Sequence, residues 1–359
     1  MPSASPALAN ELPSATVAAM RIPSSMRRLN AVINDYWSSI IFLPCYRIAT
    51  GNSAEFVHRV LRHASSRSTT MHAITGITGQ VGSQVAKELL SSGHQIRAVL
   101  RDERKARAWR ELGCEIALAA MNDAAALTRA FTGAEAVFVL LPANFDPSPG
   151  FTETKGIVEA LFTALSAARP GRVVALSTIG AQAAQENLLS QLQIMERRFE
   201  DLSLPVAFLR PAWFMENAAW DIAGAKELGV LPAFLQPVDK PVPMVATRDV
   251  AAAAAQMLEQ EWSGRKVLEL EGPHRVTPSE IALTLSSLLR RDVQTQPVPR
   301  STWETLFRSQ GMKNPGPRIR MLDGFNEGWL EFASKPEHIR KGPTSISTVL
   351  RSLVEQSGC

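Results

Sequence analysis

The chain has 359 residues, enough for one large domain or two smaller ones, and 45% of them are hydrophobic, ample for a core. Its net charge of +4 lies entirely in residues 1–70, where seven arginines face Glu11, Asp35 and Glu55, so the neutral remainder offers no basic stripe to a nucleic acid. No apolar run is long enough to span a bilayer, and three scattered cysteines, Cys45, Cys114 and Cys359, exclude a disulfide framework or a thiolate metal site, so a reducing, cytoplasmic setting is expected.

Residues 1–70 are rich in Ser, Ala, Pro and Arg and show no sustained period. Arg27 and Arg28 precede a short apolar stretch from Ser38 to Tyr46, but Asp35 interrupts what would be a signal sequence. The expectation is a poorly ordered extension ahead of a true start at Met71, in preference to a transit peptide.

From Met71 the pattern alternates strand and helix, as a parallel sheet requires. An apolar strand, 71–75, runs into Thr75-Gly76-Ile77-Thr78-Gly79-Gln80-Val81-Gly82. In a strand-turn-helix unit, Gly76 permits the turn, Gly79 lets backbone N–H groups approach a pyrophosphate, and Gly82 lets the new helix pack on the sheet. The helix N-terminus adds unpaired donors and a positive dipole end. Helix periodicity continues through Val81, Val85, Leu89 and Leu90 and stops at Ser92-Gly93. The next strand, 95–100, ends at Arg101-Asp102, nineteen residues past Gly82. An arginine there suits the 2′-phosphate of NADP(H) over the bare ribose of NAD(H), for which Asp102 would compete.

Further strands are expected at 114–118, 136–141, 172–177, 205–210 and 266–270. Helices are expected at 80–92, 103–112, 123–131, 153–168, 187–202 and 248–260. Val137 to Leu141 is apolar throughout, as a strand buried on both faces should be, and Leu141-Pro142 ends it at the carboxyl edge where open α/β sheets bind ligands. Val173 to Leu176 leads to Ser177-Thr178-Ile179-Gly180 at the same edge. Later, Thr277-Pro278-Ser279-Glu280 and Ser301-Thr302-Trp303-Glu304 both read as capping boxes. The fold class is α/β: a Rossmann-type doubly wound parallel sheet with a smaller C-terminal α/β substrate lobe. The expected divisions are the extension 1–70, the NAD(P)-binding domain 71–265, with 211–235 contributing to the substrate lobe, and the lobe and tail 266–359.

With these residues in hand, the chain resembles the NmrA-like branch of the atypical short-chain dehydrogenase/reductases over about 71–335. The matching segments are the glycine run at 75–82, Arg101, Leu176 to Ala181, Leu209 to Asn217 (Leu-Arg-Pro-Ala-Trp-Phe-Met-Glu-Asn), Val245 to Ala251, and Gly272-Pro273 with Glu280-Ile281-Ala282. The resemblance implies a Rossmann core, a small substrate lobe and NADP(H). Some such proteins reduce quinones, azo dyes or carbonyls, and others hold the cofactor without turnover and report redox state to a partner. Cofactor contacts are accordingly expected from Gly76, Thr78, Gly79, Gln80, Val81, Gly82, Arg101, Leu141, Pro142, Ser177 and Pro211.

Three departures stand out. The wider superfamily uses a Tyr-x-x-x-Lys pair as proton donor and its modulator, yet the two tyrosines here, Tyr36 and Tyr46, both lie in the extension. Where the NmrA-like pattern has Lys-x-x-x-Glu, Glu196 matches the glutamate but Leu192 occupies the lysine position, and Glu196 beside Arg197 and Arg198 reads as a solvated helix charge. Ala120 stands where an adenine-contacting aspartate is common, leaving Asn122 or main chain.

Candidate catalytic groups are therefore Ser177 and Thr178, as hydroxyl donors, and the Gln191 amide, with Gln193 beside it. Trp213, Phe214, Asn217 and Trp220 are expected to line a flat surface for a planar substrate. His72, His94, His274 and His338 form no recognisable triad or metal set, and no metal is assigned. The expected function is an NADPH-dependent reductase of a small quinone-like or other planar electrophile, one that needs no strong protein acid. The alternative is a catalytically silent NADP(H) sensor acting through a protein partner. An epimerase of the extended superfamily is disfavoured by the missing tyrosine. Neither a nucleic acid nor a membrane is expected as a partner.

Overall fold

A computed structural model describes residues 70–358 of the chain. The expected extension, apart from its last residue, and both tyrosines fall on residues 1–69, outside the described part.

Five alternations build the core: β1 Met71–Ile74, α1 Gln80–Ser91, β2 Gln95–Leu100, α2 Arg107–Glu111, β3 Glu115–Leu118, α3 Ala124–Phe131, β4 Ala136–Val139, α4 Thr152–Ala168, β5 Arg172–Leu176 and α5 Ser190–Phe199. Next come β6 Val206–Pro211, the two-residue β7 Trp213–Phe214, a 3₁₀ stretch Met215–Asp221, α6 Ile222–Leu228, β8 Val230–Ala233, β9 Met244–Val245, α7 Thr247–Glu259 and β10 Arg265–Glu271. The last third holds α8 Pro278–Leu289, β11 Gln294–Pro297, α9 Trp303–Ser309, α10 Gly316–Glu327, β12 Arg340–Lys341 and α11 Ile346–Gln356.

The main sheet has eight strands in the order β12-β10-β6-β5-β4-β1-β2-β3. Every pairing in it is parallel. The chain moves outward from β1 in one direction and then returns to β4 on its other side, which makes β1/β4 the switch point where a crevice opens at the strands' carboxyl ends. The alternation of β4 serves two cores. Ala136 and Phe138 join the core under α1 and α7, whereas Val137 and Val139 join the core under α3, α4 and α5. A strand wholly apolar and wholly buried is the result.

The lobe rests on a second parallel pair, β8 with β11, and on α8, α9 and α10. Trp303 and Phe307 are fully buried there, with Phe234 5.7 Å and 5.6 Å from them. The pairing of β7 with β9 ties the chain leaving β6 to the start of α7.

Two expectations change. Strand β10 and the short β12 belong to the main sheet, so sheet and lobe are interleaved in sequence rather than divided at residue 265. The long-range parallel pairing that causes this leaves no local trace. The Ser301 capping box does not form: a 3₁₀ turn Arg300–Thr302 leads into α9, and no side chain caps it. The Thr277 cap does form, its hydroxyl accepting from the Glu280 N–H at 3.0 Å, but the Glu280 carboxylate turns to His274 at 2.8 Å.

Candidate functional site

The site is built where β1, β4, β5 and β6 end. Buried Thr75 locks the first two together: its hydroxyl donates to the Phe138 carbonyl at 3.1 Å and accepts from the Leu140 N–H at 2.9 Å. The chain then turns through Gly76 at φ +62, a backbone state that glycine adopts without strain. A side chain at Gly82 would sit 2.4 Å from the Gly76 carbonyl oxygen, so α1 packs directly on the turn. Gly79 occupies the N-cap of α1 with no side-chain cap, and no acid stands in the first turn. Thr78, Gly79 and Gln80 are exposed there. Open N–H groups, a positive dipole end and no competing carboxylate fit a pyrophosphate.

Arg101 follows at the end of β2, exposed and without an ion pair among the described residues. Asp102, the expected competitor for a ribose, is engaged by Arg104. Its carboxylate accepts from the Arg104 N–H at 3.0 Å and grips the Arg104 guanidinium at 2.9 Å, because it caps the short turn that follows. Asn122 is exposed at the end of β3, next to Asp123, which caps α3.

A cavity of about 540 Å³ runs along the carboxyl edge. Gly79, Gln80 and Val81 border one end; Leu141, Pro142, Ser177, Thr178 and Pro211 line its middle. The four lobe residues Trp213, Phe214, Asn217 and Trp220 line the far part. Gly76, Thr78, Gly82 and Arg101 lie outside its wall. Trp213 meets Phe325 edge to face at 5.3 Å, and Phe145 faces Trp220 at 6.3 Å, so aromatic walls come from three separate stretches of chain.

Two expected donors are otherwise engaged. Ser177 donates its hydroxyl proton to Glu196, which is buried rather than solvated. Glu196 is in turn held by Nε and one terminal nitrogen of Arg210, at 2.9 Å and 2.5 Å, and Arg210 lies 3.7 Å from Glu269. Glu196 therefore faces inward, away from Arg197 and Arg198, because α5 turns that side onto β6. The Gln191 amide is a brace: its nitrogen donates to the Asn144 and Leu188 carbonyls at 2.9 Å and 3.0 Å, and its oxygen accepts from Thr154 at 2.8 Å. Gln193 likewise donates to the carbonyls of Ala181 and Ala183. Thr178 is buried on the cavity wall.

Polar wall residues that escaped notice in the sequence include Asp221, Gln310 and Arg318, besides Asn144 and Thr154. Burial pushes the Asp221 carboxyl up to about 7 and the Arg318 guanidinium down to about 9. Arg318 lies over the Phe307 ring at 4.4 Å. Gln310 and Arg318 come from the far end of the chain, so no local spacing signals them. Asp221 directly follows Trp220, an acid closing an aromatic-rich stretch, which is the only trace it leaves. Glu216 serves structure: its carboxylate, raised by burial against the pull of Thr247, accepts from the Thr247 N–H at 2.9 Å and fixes the start of α7. Among the described residues no cluster of side chains could hold a metal, and no helix is long and apolar enough to cross a membrane.

This geometry has close counterparts. Residues 76–261 match the NAD(P)H-binding family. A (4-alkanoyl-5-oxo-2,5-dihydrofuran-3-yl)methyl phosphate reductase of Streptomyces griseus is 30% identical over 226 residues, 62% of this chain and 76% of the relative. Quinone oxidoreductase 2 of Escherichia coli is 28% identical over 244 residues, 67% of this chain and 82% of the relative. The crystal structure of an NADPH-dependent quinone oxidoreductase from Escherichia coli, complexed with NADPH, superposes with a TM-score of 0.67 at 25% identity, over 80% of this chain and all of that one. The fold is thus that of a known group, and this chain belongs to the NAD(P)H-binding family as an NmrA-like, atypical short-chain dehydrogenase/reductase.

Proposed function

We propose that the protein is an NADPH-dependent reductase of a small, planar, largely apolar acceptor such as a quinone. The observation that carries this is the continuity of one cavity from the phosphate-binding turn to an aromatic-walled lobe. A planar ring fits between Trp213, Phe214 and Trp220, where burial of its faces supplies the affinity. The relatives named for quinone reduction, at 28% and 25% identity, support the same acceptor class.

When bound, NADPH supplies a hydride. The chain's own residues do the rest. The first turn of α1 and the Gly76 to Gly82 run hold the pyrophosphate. Arg101 pairs with the 2′-phosphate and selects NADPH over NADH. Leu141, Pro142 and Pro211 wall the middle of the cavity and exclude water from the transfer. Ser177, its proton given to Glu196, presents lone pairs toward the cavity and thus accepts a hydrogen bond.

The test is NADPH oxidation by the purified chain with menadione and, side by side, a simple ketone of similar size. Faster turnover of the quinone is expected. Tight NADPH binding with no oxidation by either acceptor would overturn the reductase and leave a redox sensor.

A further inference from the structure

We infer that Asp221 is the proton donor of this site, giving its carboxyl proton to the oxygen of the reduced acceptor. The inference rests on the reductase reading above and deepens it.

Reduction of a quinone by one hydride also consumes one proton. The acceptor takes two electrons and a hydrogen nucleus from NADPH, its carbonyl oxygen takes the Asp221 proton, and NADP⁺ and hydroquinone result. The Asp221 carboxylate then recovers a proton from water. Which wall group can supply that proton follows by elimination. Among the described residues that line the cavity, only Asp221 and Arg318 ionise. Arg318 holds its proton at neutral pH. Ser177 has committed its proton to Glu196, and the Thr178 hydroxyl, an aliphatic alcohol, is far too weak an acid to match a carboxyl as the proton's source.

The geometry sets Asp221 apart from a structural acid. It stands at the N-cap of α6, where an aspartate ordinarily accepts from the first-turn N–H groups, yet it forms no such cap. No hydrogen bond or ion pair to its carboxyl is present among the described residues. It is half-buried and lines the cavity two residues from Ala219 and next to Trp220. An unpaired carboxyl in apolar surroundings costs stability, a cost typical of functional groups. Burial alone raises its pKa to about 7. The charged groups of the surrounding elements contribute nothing to that shift: Glu216 and Lys226 along its own stretch, Glu280 on α8, Arg351 and Glu355 on α11. An acid poised near neutrality is best matched to proton transfer at physiological pH.

The experiment compares the parent protein with Asp221→Asn and Asp221→Glu, using NADPH and menadione. The expected result for Asp221→Asn is a fall in kcat on the order of a hundredfold, with NADPH affinity unchanged. The parent's kcat should decline as pH rises past about 7, a limb absent from Asp221→Asn and partly restored in Asp221→Glu. A second readout needs no turnover. The folded carboxyl titrates above its ordinary 3.8, so its ionisation costs stability increasingly as pH rises from there to about 7. Unliganded Asp221→Asn should therefore melt above the parent at pH 8 and with it at pH 4. Equal kcat and equal pH profiles in parent and Asp221→Asn would overturn the inference while the reductase stands. Loss of NADPH binding in Asp221→Asn would overturn it in favour of a structural role. A parent that binds NADPH but reduces no quinone would remove the reductase reading and this inference together.

Discussion

Glu196 and Arg210 form a bidentate ion pair behind Ser177, with side chains only 7% and 11% exposed. The pair joins α5 to β6 and fixes the Ser177 hydroxyl from behind. Taking away one partner strands the other charge in a poorly solvated place, a loss of ~3–5 kcal/mol for a buried pair. Glu269, 3.7 Å from Arg210, compensates in part. Glu196→Ala is thus expected to destabilise by about 3 kcal/mol, the low end of that range, in urea unfolding. Ser177→Ala, which leaves the pair intact, should cost clearly less. Equal losses would show that the hydroxyl and not the ion pair holds this corner.

Arg101 is the residue we propose to govern cofactor choice. Arg101→Ala should reduce the preference for NADPH over NADH by about ten- to a hundredfold, matching the ~1.5–3 kcal/mol of a hydrogen bond to a charged group. Titration calorimetry with both cofactors measures it. A parent protein that binds NADPH and NADH equally would place the 2′-phosphate elsewhere.

The two glycines of the turn should fail differently. Gly82→Ala forces a methyl group against the Gly76 carbonyl at 2.4 Å, so the helix must shift; a destabilisation of ~1–3 kcal/mol is expected for such overpacking. Gly79 meets only the Gly76 oxygen, at 3.3 Å, and its extended backbone suits any residue. Gly79→Val should keep the fold and lose NADPH, by blocking the phosphates. Thermal unfolding and NADPH fluorescence titration on both variants separate the two effects.

His72 should make the protein acid-sensitive. It is fully buried in β1, with neither ring nitrogen partnered among the described residues, and lies 4.7 Å from the His94 ring. Burial first, then His94 and Arg172, lowers its pKa from 6.5 to about 3. The folded value is below the unfolded one, so between them the unfolded chain binds more protons. The contribution is complete above pH 6.5 and is lost as pH falls toward 3. His72→Leu, which fills the site without a titrating group, should flatten the stability curve across that window. An unchanged slope between pH 6 and 4 would assign the acid sensitivity to other groups.

The cofactor half of the protein was legible in its sequence because it is local. The turn from Thr75 to Gly82, the helix after it and Arg101 lie within some thirty residues, and each glycine answers to a short-range constraint. The apolar run of β4 likewise announced a strand buried on both faces. The interior of the site was not legible, because its groups meet only across the sheet. Glu196 reads as a surface charge beside two arginines until α5 packs on β6 and turns it onto Arg210. Asp221 draws no notice until the lobe closes round it, and Arg318 and Phe325 reach the same cavity from a helix more than ninety residues later. Local spacing marked the turn that we propose for the phosphates. Burial, which depends on what the rest of the chain places alongside, decided which side chains are charged, which are committed and which remain for chemistry.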